Sequence, residues 1–447
     1  MIFKSALATL FTVFVLHTTF AWGAEAPQPP RVTACPAPLA TGVSCYTGED
    51  GAGAFYWIAI PASWNQVLVV HAHGGPELGE PRLERSQDDL KRWAVTVKAG
   101  YAWIGSTYRQ GGYGVTMAAE DTERARQIFV TYFGQPRRTL LHGQSYGGGV
   151  ASKAIELFAT SHDGHSPYDA VLLTSAVLGG GTLAYGFRLD LRVVYQYVCK
   201  NHPQSDEPQY PLWMGLAKGM TLSHAALAQR VNDCTGLSLP PAQRSPAQQQ
   251  RLSDILNVVK IPERSLISHL NWATWLFEDL VQHRLKGGNA FENQAVVYGG
   301  SRNDDALNKD ILRYSADPAA VALLAADSQP SGRLPVPTLT LHAIHDPTAF
   351  VELEANYRAV VARAGQADRL VQVFSDESRH SYLSDSQYPA LLTALLDWVD
   401  NGIKPTPQKI AALCESYRVA YSSACHILPD YQPVPLAQRR APQPSMP

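Results

Sequence analysis

The run Leu140-Leu141-His142-Gly143-Gln144-Ser145-Tyr146-Gly147-Gly148-Gly149 holds the spacing with the clearest chemical use. It reads as the end of a strand, a Gly-x-Ser-x-Gly turn and the start of a helix. Presenting Ser145 at the apex of such a turn demands a strained backbone, and side chains two residues either side would collide, so Gly143 and Gly147 are required. A serine hydroxyl is a poor nucleophile at neutral pH; it needs a histidine to take its proton and an acid to orient that histidine. Residues 339–347 supply a strand followed by Asp346, which Pro347 holds out of helix. Residues 370–374 form another strand, followed by a loop that ends in His380. The chain order Ser145, Asp346, His380 is that of the nucleophile-elbow hydrolases, and it predicts a triad at successive strand ends. Asp376 is the next candidate for the acid and Asp304 the third.

Upstream, Val69-Val70-His71-Ala72-His73-Gly74-Gly75-Pro76 ends a strand in paired glycines. A tetrahedral intermediate needs two backbone donors about 3 Å from its oxyanion. The N–H groups of Gly75 and Tyr146 are assigned to that role, with Gly74 making room for the approach. A metal reading of His71 and His73 with His342 and His345 lacks a matching acidic ligand set; His71 and His142 fit the sheet interior better. The run Arg109-Gln110-Gly111-Gly112-Tyr113-Gly114 lacks the Lys-Ser/Thr of a phosphate loop and reads as a loop at the active-site edge. No cofactor is indicated.

Positioning these groups requires strands that cross over through helices into a mostly parallel sheet, and the hydrophobic periodicity supplies them. Strands are predicted at 56–60, 67–71, 102–106, 139–142, 170–174, 337–342 and 370–374. Helices are predicted at 87–99, 117–133, 146–159, 350–364 and 387–399. Between about 181 and 333 the rhythm stops; this insertion is expected to form a mainly helical cap over one edge of the sheet. It carries Trp213, Trp272, Trp275, a helix-like stretch at 267–285 and a polar spacer at 240–250 that reads as a surface loop. Residues 24–180 and 334–402 then form the core, with a Pro-rich extension over 403–447.

The 447 residues carry 37 Lys+Arg against 39 Asp+Glu and no basic run, so no field draws the chain to nucleic acid. Residues 1–23 read as a removable secretory signal: Lys4, an apolar run of about a dozen residues, then Ala21-Trp22-Gly23. No later stretch is apolar enough for a membrane span. All six cysteines follow that leader and are expected to pair in an oxidising compartment. The sequence-near couples are Cys35–Cys45, Cys199–Cys234 and Cys414–Cys425; a bridge between the two chain ends is the rival.

Stretches 55–180 and 335–400 resemble the α/β-hydrolase superfamily. Within it, His73-Gly74-Gly75-Pro76, Tyr108–Gly114 and Gly143–Gly148 are similar, in the same order, to the catalytic domain of the prolyl-oligopeptidase family. That resemblance implies a serine peptidase. The chain departs from it in having too few residues before the core for a propeller, a large insertion after Val177, and Ala343 where the pattern usually has Gly. Capped, secreted, disulfide-bonded members of the superfamily more often resemble esterases and lipases. The sequence therefore points to a secreted serine hydrolase acting on small or polymeric carboxylic esters, with a peptidase as the alternative. Glu278, Asp279 or Arg284 would pair with a peptide terminus in that alternative; otherwise their helical spacing reads as a solvated face.

Overall fold

Strands buried on both faces read as unbroken apolar runs, and Val67–Ala72 is such a run, every residue buried. Its alternate side chains part to opposite faces: Leu68 and Val70 join one hydrophobic core, Val67 and Val69 the other. The structure, a computed structural model, describes residues 27–39, 41–160 and 164–439; the expected leader lies outside them.

Nine strands form one sheet: β1 (Arg31–Thr33), β2 (Val43–Glu49), β3 (Phe55–Pro61), β4 (Val67–Ala72), β5 (Ala102–Ser106), β6 (Arg138–Gln144), β7 (Ala170–Thr174), β8 (Thr338–Ala343) and β9 (Leu370–Ser375). Their order is β1-β2-β3-β5-β4-β6-β7-β8-β9. The first three pairings, up to β3 with β5, are antiparallel, and every pairing from β5 to β9 is parallel. All seven predicted strands are present. The antiparallel β1 and β2 were not expected, and there is no propeller among the described residues.

Helices Val115–Phe133 and Tyr146–Leu157 follow β5 and β6 as expected. The helix expected at 87–99 instead begins at Leu83 and breaks at Trp93 into Leu83–Arg92 and Ala94–Lys98. Between β7 and β8 the described elements are all helical, from Gly180–Tyr185 to Pro318–Ser328. The stretch 267–285 is a helix interrupted by two π turns, Trp272–Leu276 and Leu280–Arg284.

One expectation about this insertion fails. The spacer 240–250 is not all loop, because Pro246–Val259 is a helix. Its start is a capping box: the Ser245 hydroxyl accepts from the Gln248 N–H, and the Gln248 side chain accepts from the Ser245 N–H, with Pro246 in the first turn. Leu252, Ile255 and Val259 then bury one face. Replacing Ser245 by Ala is expected to cost about 1 kcal/mol, read as a lowered chemical-denaturation midpoint.

The cysteines pair as the sequence-near couples, Cys35–Cys45, Cys199–Cys234 and Cys414–Cys425. After the helix Pro407–Tyr421, Ile427 bridges to Ser375 and Leu428 N–H donates to Phe374 O, 2.8 Å. The tail thus covers the otherwise open edge of β9. Among the described residues no helix is long and apolar enough to cross a membrane.

Candidate active site

Ser145 lies between β6 and the helix Tyr146–Leu157, with φ 56° and ψ −122°, a conformation an L-residue holds only when its surroundings enforce it. The enforcement is visible. Ser145 N–H donates to Thr174 O of β7 (3.0 Å), while its carbonyl accepts from the N–H groups of Gly148 and Val177, each 2.9 Å. A Cβ on Gly143 would fall on the Gly147 carbonyl oxygen, and one on Gly147 would fall on that of Ala72. Both glycines are therefore fixed by sterics.

His380 sits in the loop after β9 with its ring between two partners. Nε2 is 2.7 Å from Ser145 Oγ, and Nδ1 is 2.7 Å from Asp346 Oδ2. An ionised carboxylate only accepts, so Nδ1 carries the hydrogen toward Asp346 and Nε2 is left to accept from the serine hydroxyl. Asp346 is held in turn: its Oδ1 accepts from the N–H groups of Thr348 (2.8 Å) and Ala349 (3.0 Å). The other two candidate acids stand elsewhere. Asp376 is 61% exposed, 3.8 Å from His345. Asp304 accepts from the N–H groups of Gly300 and Ser301 at the start of its own helix.

Two supports behind these residues have no signature in the sequence. Buried His342 places Nδ1 3.2 Å from Glu354 Oε1 and Nε2 3.6 Å from Asp346 Oδ2. Burial opposes its charge, but the bond to Glu354 and the two carboxylates outweigh burial and raise its pKa. The second support is Glu377, which accepts from the Ser384 N–H (2.9 Å) and Gln387 Nε2 (2.7 Å) and so fixes the loop that carries His380.

Gly75 and Tyr146 border the same cavity as Ser145 and His380. Gly75 has φ +75°, with nothing within 4 Å of where a Cβ would project. Tyr146 opens its helix, where an amide N–H has no carbonyl one turn back to bond. Gly74 has a different use from the one expected: the space a Cβ would need is filled by the Gln144 side chain. Its carbonyl accepts from Arg85 Nη2, 2.5 Å, which pins the turn.

Among the described residues no group of three or more His, Cys, Asp or Glu side chains is placed to hold a metal ion. His71 Nδ1 lies 3.0 Å from His142 Nδ1, both rings buried in the sheet interior as expected. His73 stacks on Tyr108 with ring centroids 4.0 Å apart, and His345 is 64% exposed. The glycine-rich loop meets the site only through the Tyr146 side chain, Gly114 N–H donating to Tyr146 Oη, 3.0 Å; none of its residues lines the cavity.

Asp279 and Arg284 correct a sequence reading. They neither enter the cavity nor form a solvated face; Asp279 accepts from Tyr113 N–H (3.1 Å) and Arg284 donates to Gly111 O (2.6 Å), clasping that loop to the insertion. Of the three tryptophans, Trp272 lines the cavity. Trp275 instead stacks on His224 within the insertion. The cavity, of about 290 Å³, is lined in part by Tyr185, Arg188 and Trp272 of the insertion. Sequence reasoning missed Arg188.

The parallel sheet order, the strained serine turn after β6 and the helical insertion between β7 and β8 together define the α/β-hydrolase fold. No protein-family model matches the sequence, and no curated protein does. Solved structures similar to the chain include feruloyl esterase B from Aspergillus oryzae, at 13% identity over 85% of this chain and 86% of that one, TM-score 0.43. Others are an esterase from Aspergillus oryzae, at 14% identity over 81% and 80%, TM-score 0.43, and a ligand-bound form of the rice cell wall degrading esterase LipA from Xanthomonas oryzae, at 15% over 83% and 98%, TM-score 0.42.

Proposed function

We propose that the protein is a serine hydrolase that cleaves carboxylic esters through an acyl-enzyme. The observation that carries the reading is the placement of the His380 ring 2.7 Å from both Ser145 Oγ and Asp346 Oδ2. Ser145 attacks the ester carbonyl while His380 Nε2 takes its proton, and the N–H groups of Gly75 and Tyr146 receive the oxyanion. His380 then protonates the departing alcohol. Water, deprotonated by the same nitrogen, attacks the acyl-enzyme and releases the acid. Asp346 fixes the tautomer and stabilises the imidazolium throughout. A cavity of about 290 Å³ suits a small ester, or the end of a polymer, better than an extended peptide. Three disulfides suit an oxidising compartment, so we assign the protein to export behind the leader at 1–23.

The test is covalent. A fluorophosphonate probe is expected to add one equivalent to the protein, with peptide mass mapping locating the adduct on Ser145. Acyl p-nitrophenyl esters are expected to turn over with a burst, and aminoacyl-naphthylamides are not. An unlabelled Ser145 sinks the mechanism; turnover of the amides alone replaces the ester assignment with a peptidase.

A further inference from the structure

The cavity above Ser145 is bordered by three arginines, and two of them are committed to the fold. Arg85 holds the Gly74 carbonyl and lies 3.5 Å from Asp89 and 3.2 Å from Glu77. Arg92 donates to Ser381 O and Tyr388 Oη, each 2.9 Å. Arg188 differs. It is 2% exposed, and its Nε and Nη1 are fully buried with no hydrogen-bond partner among the described residues. Nor does any carboxylate of the described residues form an ion pair with it.

One helical turn further on, the buried Arg192 likewise has no partner at Nε, but its two terminal nitrogens donate to His202 O, 3.2 Å, and Gly215 O, 3.4 Å. What surrounds Arg188 is aromatic. Its Cζ lies 4.5 Å from the Trp272 ring centroid, 4.7 Å from Phe187 and 4.9 Å from Tyr185. These rings favour a cation at their faces, yet none of them accepts from Nε or Nη1. A buried charge without a counter-charge is costly, and burial pulls the Arg188 pKa down to about 10. Buried polar groups left unpaired in a native protein call for an explanation.

We propose that Arg188 is a specificity residue that binds a carboxylate carried by the substrate, so that the preferred esters are anionic ones with a free carboxylate on the acyl or the alcohol half. A guanidinium left without an acceptor is matched by a planar carboxylate, which can take two parallel hydrogen bonds from it. The pairing discharges the buried cation only when such a substrate is bound. A neutral ester of the same shape leaves it unpaired. The inference rests on the ester-hydrolase reading and narrows it to a substrate class.

The experiment compares matched pairs of esters: monomethyl adipate against methyl hexanoate for the acyl half, and 4-acetoxybenzoate against phenyl acetate for the alcohol half. In one pair at least, kcat/KM for the carboxylate ester is expected to exceed that of its neutral partner tenfold or more. In Arg188→Gln that ratio is expected to collapse at least tenfold, and Arg188→Lys to recover part of it. A purely structural Arg188 lowers both members of a pair alike and leaves the ratio where it was. If Arg188→Gln does not fold, the wild-type protein still decides: benzoate is expected to inhibit turnover at least tenfold more strongly than benzamide. Equal inhibition, or neutral esters preferred in both pairs, overturns the inference. With Ser145 labelled by the fluorophosphonate, such a result leaves the hydrolase standing; with Ser145 unlabelled, the hydrolase reading itself has failed.

Discussion

Ser145→Ala is expected to lower kcat for an activated ester by about 10⁶-fold, and Asp346→Asn by about 10⁴-fold, with the fold intact in both. The serine variant removes the only atom that bonds to the acyl group, and neither His380 nor the oxyanion donors can substitute for it. The asparagine variant acts through the proton on the ring. Asp346 Oδ2 accepts from His380 Nδ1 at 2.7 Å, whereas an amide nitrogen there would donate, forcing the hydrogen onto Nε2 and turning the base away from Ser145. The Thr348 and Ala349 N–H groups, which hold Oδ1, would keep the asparagine in place, so the loss is one of tautomer and charge. Circular dichroism checks the fold, and single-turnover kinetics separate the two variants: slow acylation remains in Asp346→Asn and is absent in Ser145→Ala. Equal and small losses would mean that another nucleophile does the work.

These groups were legible in the sequence because their spacing has a steric cause. Gly143 and Gly147 are required by atoms that a Cβ would strike, so the pattern around Ser145 carries its own geometry. The central strands were legible because burial on both faces leaves no alternation to misread, as in Val67–Ala72. Edge elements carry a weaker signal. Arg31–Thr33 is three residues long, two of them exposed, and nothing in its composition marks a strand. The start of Pro246–Val259 was hidden by its polar composition, although Ser245 and Gln248 have the spacing of a capping box. Arg188 shows the deeper limit. Within the helix Phe187–Cys199 it is one charged residue among several, and only the packing of Tyr185, Phe187 and Trp272 around it turns that residue into an unpaired buried charge. Asp279 and Arg284 make the same point in reverse, since the loop they clasp lies over 160 residues away in sequence.

Buried histidines give the protein an expected acid lability. Burial lowers the pKa of His71, His73, His142, His202 and His269, to about 3 for His73, His142 and His269. In the unfolded chain each returns to the ordinary value near 6.5. Below that pH the unfolded state takes up protons that the folded state refuses, so the stability present above pH 6.5 is lost as the pH falls. Between pH 7 and 5.5 the five groups together remove roughly 6 kcal/mol. The groups whose pKa is raised work the other way, Asp121, Glu156 and Glu278 among them. Asp89, raised to about 7 by burial, binds a proton in the folded state over that interval and returns roughly 2 kcal/mol. His342, raised as well, contributes most below 6.5. The net loss is a large part of the 5–15 kcal/mol that holds a typical protein folded. The thermal midpoint is therefore expected to fall by roughly 5 °C or more between pH 7 and 5.5, in the direction opposite to that of a protein stabilised by charged histidines. His202 offers a check on the cause. Its Nε2 lies 2.9 Å from Thr274 Oγ1, away from Ser145, and His202→Gln keeps a hydrogen-bonding side chain there while removing one titrating group. That variant is expected to lose less stability over the same interval than the parent; an identical pH dependence would assign the acid lability to other groups.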